Sequence, residues 1–108
     1  MALLVGVPFA APLYAADESK VEGKAVFDKW CEPCHARDPR KHPGTVALGV
    51  LYKNGEKPAA LQDRLDLTPE LVATYVRNGV SIMPFSRKTE ISDAELAELG
   101  AYLSVPEK

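Results

Sequence analysis

Both cysteines of the chain lie in one pentapeptide, Cys31-Glu32-Pro33-Cys34-His35, and nothing else in the sequence restricts the fold as strongly. Two thiols three positions apart, followed at once by a histidine, form the attachment pattern of c-type haem. The spacing has a chemical reason. Each thiol can add across a haem vinyl group to make a thioether, and the next residue is then held beneath the iron, where His35 would bind through an imidazole nitrogen. At 108 residues, with no internal repeat, the chain has room for one domain at most. A core of that size is marginal without a staple, and one covalently held haem would supply it.

Two other readings of the motif fit less well. A thioredoxin-like Cys-x-x-Cys sits at a strand-to-helix junction, and no strand signal leads into Cys31. A zinc set of Cys31, Cys34, His35 and His42 would need the adjacent Cys34 and His35 as two tetrahedral ligands, with no second Cys-rich knuckle to help.

A six-coordinate iron needs a ligand on its other face, and the only methionines are Met1 and Met83. A lone methionine is most often a core gap-filler. Met83, however, lies in Gly79-Val80-Ser81-Ile82-Met83-Pro84-Phe85, where Pro84 restricts it to an extended backbone and keeps the segment out of a helix. With a haem present, this loop position favours ligation. His42 and an open sixth site are the alternatives; only six residues separate His42 from His35, which makes the far face hard to reach. His/Met ligation favours ferrous iron, raises the potential and leaves no position for a substrate, so it implies electron transfer. An open site would imply peroxidase or sensor chemistry instead. The other ring nitrogen of His35 needs an acceptor, and the Pro43 carbonyl is the candidate.

Caps and periodicity predict an all-α fold of three main helices plus short helical turns. The first begins near Ser19, with Ser19 and Glu22 spaced as a capping box, and carries Val21, Ala25, Phe27 and Trp30 toward the cysteines. The second has Thr68 as N-cap, Pro69 in its first turn, a stripe of Leu71, Val72, Tyr75 and Val76, and Gly79 at its end. The third opens on a Ser92/Glu95 capping box, packs through Leu96, Leu99, Tyr102 and Leu103, and stops before Pro106. Helical turns are expected at Val46 to Tyr52 and Ala59 to Leu65, with a turn at Asn54-Gly55 between them. Residues 36–45 and 80–91 read as irregular.

The first sixteen residues carry no charge and end in small side chains before Asp17 and Glu18, the outline of a secretory leader. Cleavage after Ala15 would divide the chain into a leader, 1–15, and a monohaem domain, 16–108, destined for the periplasm. No Lys or Arg opens this leader, so the start codon is expected upstream of Met1. A stretch broken by Pro8 and Pro12 is shorter than the roughly 20 apolar residues that span a bilayer, which argues against stable membrane insertion. Thirteen basic against fifteen acidic residues argue against nucleic acid as a partner.

The haem motif, the methionine loop and the terminal helices together resemble the class I cytochrome c family. In that family the first and last helices cross closely, a Gly and an aromatic four apart on one meeting a Leu and an aromatic three apart on the other; Gly23 and Phe27, and Leu99 and Tyr102, match this pattern. Within the family, the stretch from Phe27 to Leu103, and DLTPELVATYVRNGVSIMPFSRKTEISDAELAELGAYL above all, is similar to the cytochrome subunits of eugenol hydroxylase and p-cresol methylhydroxylase. The resemblance implies covalent haem c on Cys31 and Cys34, axial His35 and Met83, and a flavoprotein dehydrogenase oxidising phenols, amines or alkaloids as electron donor, with a downstream cytochrome or oxidase as acceptor. A general soluble carrier to a terminal oxidase is the alternative. Arg37, Arg40, Lys41 and His42, with Arg87 and Lys88, are expected to form a basic rim that steers an acidic partner, while acidic Asp93, Glu95 and Glu98 gather on the last helix.

Overall fold

The computed structural model describes residues 22–38 and 42–105. The leader, Ser19, Val21, Arg40, Lys41 and Pro106 lie outside the described residues. Among the described residues the architecture is all-helical, in agreement with the expected class. We label the first helical segment α1, residues 22–35: an α-helical start runs into a π-helical stretch, Phe27–Cys31, and ends in the α-helical turn Glu32–His35. Then follow α2, Pro43–Leu51; a 3-10 turn, Leu61–Asp63; α3, Pro69–Asn78; and α4, Asp93–Leu103.

Local chemistry accounts for these limits. The Thr68 hydroxyl accepts the Leu71 amide at 3.1 Å and Pro69 occupies the first turn of α3, where its missing N–H costs nothing. Gly79 ends that helix at φ +72, a conformation glycine adopts without a Cβ penalty. Ser92 and Glu95 complete the reciprocal capping box at the start of α4, at 3.1 and 2.9 Å. The Ala59 to Leu65 turn appears as Leu61–Asp63 and Gly55 turns at φ +81. One expectation is corrected: residues 43–45 are not irregular but open α2, with His42 as its N-cap and Pro43 in the first turn. Proline at that position is preorganised for a helix, and the Thr45 hydroxyl donates to the Ala36 carbonyl at 2.6 Å, tying the new helix to the end of α1.

The core gathers Val26 and Phe27 of α1, Val72 and Val76 of α3, and Leu96, Leu99, Tyr102 and Leu103 of α4, with Leu67 and Ile91 from the loops. Tyr75, expected in the α3 stripe, lies outside the core at 41 % exposure. Phe27 and Tyr102 set their rings 5.9 Å apart at 54°, a tilted geometry that suits aromatic quadrupoles. Beside them α1 crosses α4 at Gly23, where a Cβ would lie 2.6 Å from Tyr102 Cβ and closer still to the Glu98 carbonyl oxygen. The Gly/aromatic and Leu/aromatic pattern of the sequence is therefore a real helix crossing. α4 also closes on the start of α3, where a Cβ on Gly100 would sit 3.1 Å from Pro69.

Backbone cannot yield as a side chain does, so Gly23→Ala should destabilise the protein by ~1–3 kcal/mol, read as a lower Tm. Gly49, in the middle of α2, has only ordinary contact at 3.9 Å from Ala59, so Gly49→Ala should stabilise by about 0.5–1 kcal/mol through helix propensity. Equal effects at the two positions would contradict the crossing.

Candidate haem centre

The end of α1 presents Cys31, Cys34 and His35 on consecutive turns, and both cysteines are free thiols. Cys31 packs on the edge of the core. Burial, with the Cys34 thiol adding to it, pushes the Cys31 thiol up to about 12, so it stays protonated at neutral pH. Among the described residues no group of three or more His, Cys, Asp or Glu side chains is placed to hold a metal ion. His42 is engaged elsewhere, its Nδ1 2.9 Å from the Pro33 carbonyl oxygen.

His35 is half-buried, and burial lowers its pKa below the usual histidine value. The ring is therefore mainly neutral at pH 7, the form that can donate a nitrogen lone pair to a metal. Its position is set by α2. The Thr45 and His42 bonds fold the chain back over the end of α1, and Gly44 arrives against the imidazole: a Cβ there would be 2.5 Å from His35 Cε1 and 2.7 Å from both His35 Nδ1 and the Cys34 carbonyl oxygen. The expected bond from His35 to the Pro43 carbonyl is not made. Pro43 stands in the first turn of α2, and His35 Nδ1 is buried without a hydrogen-bond partner.

Met83 belongs to a different segment, the loop between α3 and α4. Val80 and Met83 exchange both backbone hydrogen bonds, at 2.9 and 3.1 Å, around a tight turn whose first central residue, Ser81, has φ +56. A positive φ at that position alone is the signature of a type II′ turn. The turn folds back on Gly79, where a Cβ would meet the Met83 carbonyl oxygen at 2.6 Å. Met83 itself is half-buried, while its neighbours Ile82 and Phe85 are 80 % and 57 % exposed.

These features fit a haem. Two thiols and a neutral imidazole are presented together, and large apolar side chains are uncovered: Val46 and Val50, one turn apart on α2, and Leu65, Val80, Ile82 and Phe85 on loops.

Two cations of the expected basic rim are paired within the chain. The Arg37 guanidinium donates to Asp63 at 2.9 and 3.2 Å, and Lys88 lies 3.3 Å from Asp93, so carboxylates of neighbouring segments pair two of the rim cations. Sequence reading missed Arg64, buried at 6 % exposure, whose guanidinium forks onto Asp66 at 2.6 and 2.8 Å and stacks 5.5 Å from the Tyr52 ring centre. The alternation of charge in Asp63-Arg64-Leu65-Asp66 was the available signal. It also missed the role of Gly44, which only the return of α2 reveals.

Because Gly44 lies against the imidazole, Gly44→Ala should displace the ring. The expected result is a clearly lower haem-to-protein ratio by absorbance in purified material, with Gly49→Ala as the helical control. An unchanged ratio and spectrum would remove Gly44 from the site.

Neither the comparison with curated proteins nor that with solved structures finds a match. A scan of protein-family models matches residues 18–103 to the family described as Cytochrome C oxidase, cbb3-type, subunit III. That span contains the cysteine pair, His35, the methionine loop and every described helix, and the chain accordingly belongs to this family as a class I c-type cytochrome domain, a haem-binding carrier of electrons.

Proposed function

We propose that the chain is a periplasmic monohaem cytochrome that accepts single electrons from a flavoprotein dehydrogenase and passes them to a downstream cytochrome or oxidase. The observation that carries this reading is the end of α1, where Cys31, Cys34 and a neutral, half-buried His35 are offered together against Gly44. Cys31 and Cys34 hold the haem through thioethers. The His35 imidazole nitrogen and the Met83 sulfur would bind its iron. When bound, the haem supplies a one-electron ferric/ferrous couple. A soft Met83 sulfur on the iron would bias that couple toward the reduced state, and with His35 and Met83 both bound no iron position would be left for substrate or oxygen. Outer-edge electron transfer is then the remaining chemistry.

The flavoprotein donor is supported by the likeness of the stretch from Phe27 to Leu103 to cytochrome subunits of phenol-oxidising flavoproteins. A second reading, service to a terminal oxidase, is favoured by the matched family, whose description names a cytochrome c oxidase subunit. With Arg37 and Lys88 paired inside the chain, the exposed apolar pair Ile82 and Phe85 beside Met83 becomes the principal docking feature, and charge steering becomes secondary.

Met83→Ala should abolish the weak long-wavelength charge-transfer band of ferric His/Met haem and lower the reduction potential; an unaltered spectrum would exclude Met83 as a ligand. Rapid mixing with a co-purifying flavoprotein and its substrate should reduce the haem at a rate only weakly dependent on salt. A rate falling steeply with ionic strength would restore the basic rim as the steering element, and reduction by no flavoprotein but ready oxidation by a terminal oxidase would favour the second reading.

A further inference from the structure

The loop that carries Met83 leaves α3 at Gly79 and returns at Ser86, and its neck is closed twice. The Ser86 amide donates to the Val76 carbonyl at 2.7 Å. Arg77, the next residue of α3, reaches across the same gap. Its Nη1 donates to the Ser86 carbonyl at 3.1 Å and its Nη2 to Asp93 Oδ1 at 2.9 Å. Asp93 is the first residue of α4, and its second oxygen is met by Lys88. One guanidinium thus joins α3, the returning limb of the loop and the start of α4.

This is a different situation from an ordinary surface ion pair. The Arg77 side chain is 22 % exposed, against 68 % for Asp93, and it spends its donors on a backbone carbonyl as well as a carboxylate. A planar fork can serve two acceptors at fixed angles, which a lysine ammonium on a flexible stem cannot reproduce. Arg77 and Lys88 together hold the Asp93 carboxyl below the usual carboxylate range, so the fork persists through neutral pH. Beyond the neck, the path to Met83 is short and stiff: Gly79 and Ser81 hold positive φ, Val80 and Met83 are bonded to each other, and Met83 lies on Gly79. Slack at the neck has little loop to absorb it before it reaches the sulfur.

We propose that Arg77 is the positioning residue of the methionine loop, fastening Ser86 to α3 and α4 so that the Met83 thioether stays on the iron. The inference rests on the reading of Met83 as axial ligand. Without the fork the loop opens more often at its neck, and Met83 yields its position more readily to a competing ligand.

The test is titration of the ferric holoprotein with imidazole, which competes for the Met83 position. Arg77→Gln should raise imidazole affinity about tenfold, ~1.4 kcal/mol. Arg77→Lys should come close to that, and Asp93→Asn should do less, because the bond to the Ser86 carbonyl survives. Leu96→Ala, in the packed face of α4, serves as the stability control and should lower Tm without raising imidazole affinity. Unchanged affinity in Arg77→Gln, or an equal rise in Leu96→Ala, overturns the role of Arg77. The charge-transfer band of the parent protein, and its loss in Met83→Ala, check the ligand separately; absence of that band overturns both readings.

Discussion

At Gly23 the backbone of α1 lies against the Glu98 carbonyl and Tyr102 of α4, with no space for even a methyl group between them. The contact locks the angle of α1, and the far end of α1 carries Cys31, Cys34 and His35. Phe27 and Tyr102 fill the space beside the crossing and Leu99 completes it, fully buried. A small domain has few such contacts to spare. The presentation of Cys31, Cys34 and His35, the candidate haem-binding side chains, therefore depends on a place where a side chain is missing.

The parts legible in the sequence were those fixed by local chemistry. Thr68 and Ser92 announce helix starts because their hydroxyls satisfy amides that a helix leaves unpaired. Gly79 announces a stop because the chain needs a positive φ there. The cysteine and histidine spacing speaks for itself. What was not legible depends on segments that are distant along the chain. The start of α2 is decided by Thr45 and His42 reaching back to Ala36 and Pro33, and the pairing of Arg37 with Asp63 joins positions 26 apart. Arg64 looks like a surface residue until Asp66 and Tyr52 are seen to surround it.

The two candidate axial residues are held by different means. His35 is set by packing, a ring trapped between the end of α1 and a glycine of α2, with burial keeping it neutral. Met83 is set by backbone geometry and by a guanidinium at the base of its loop. Close packing resists small displacements sharply, whereas a hydrogen-bonded neck can open as a unit and close again. The imidazole side of the centre is built as a fixed wall and the thioether side as a hinged one.

The π-helical stretch Phe27–Cys31 adds a last consequence. The amide of Glu32 bonds to the Phe27 carbonyl, five residues back, so this turn holds one residue more than its neighbours. The wider turn rotates everything after it about the helix axis. Rotational phase is thus an adjustable quantity in this domain: one residue gained or lost inside a single turn would re-aim the entire cysteine and histidine cluster while the buried half of the helix stayed in place.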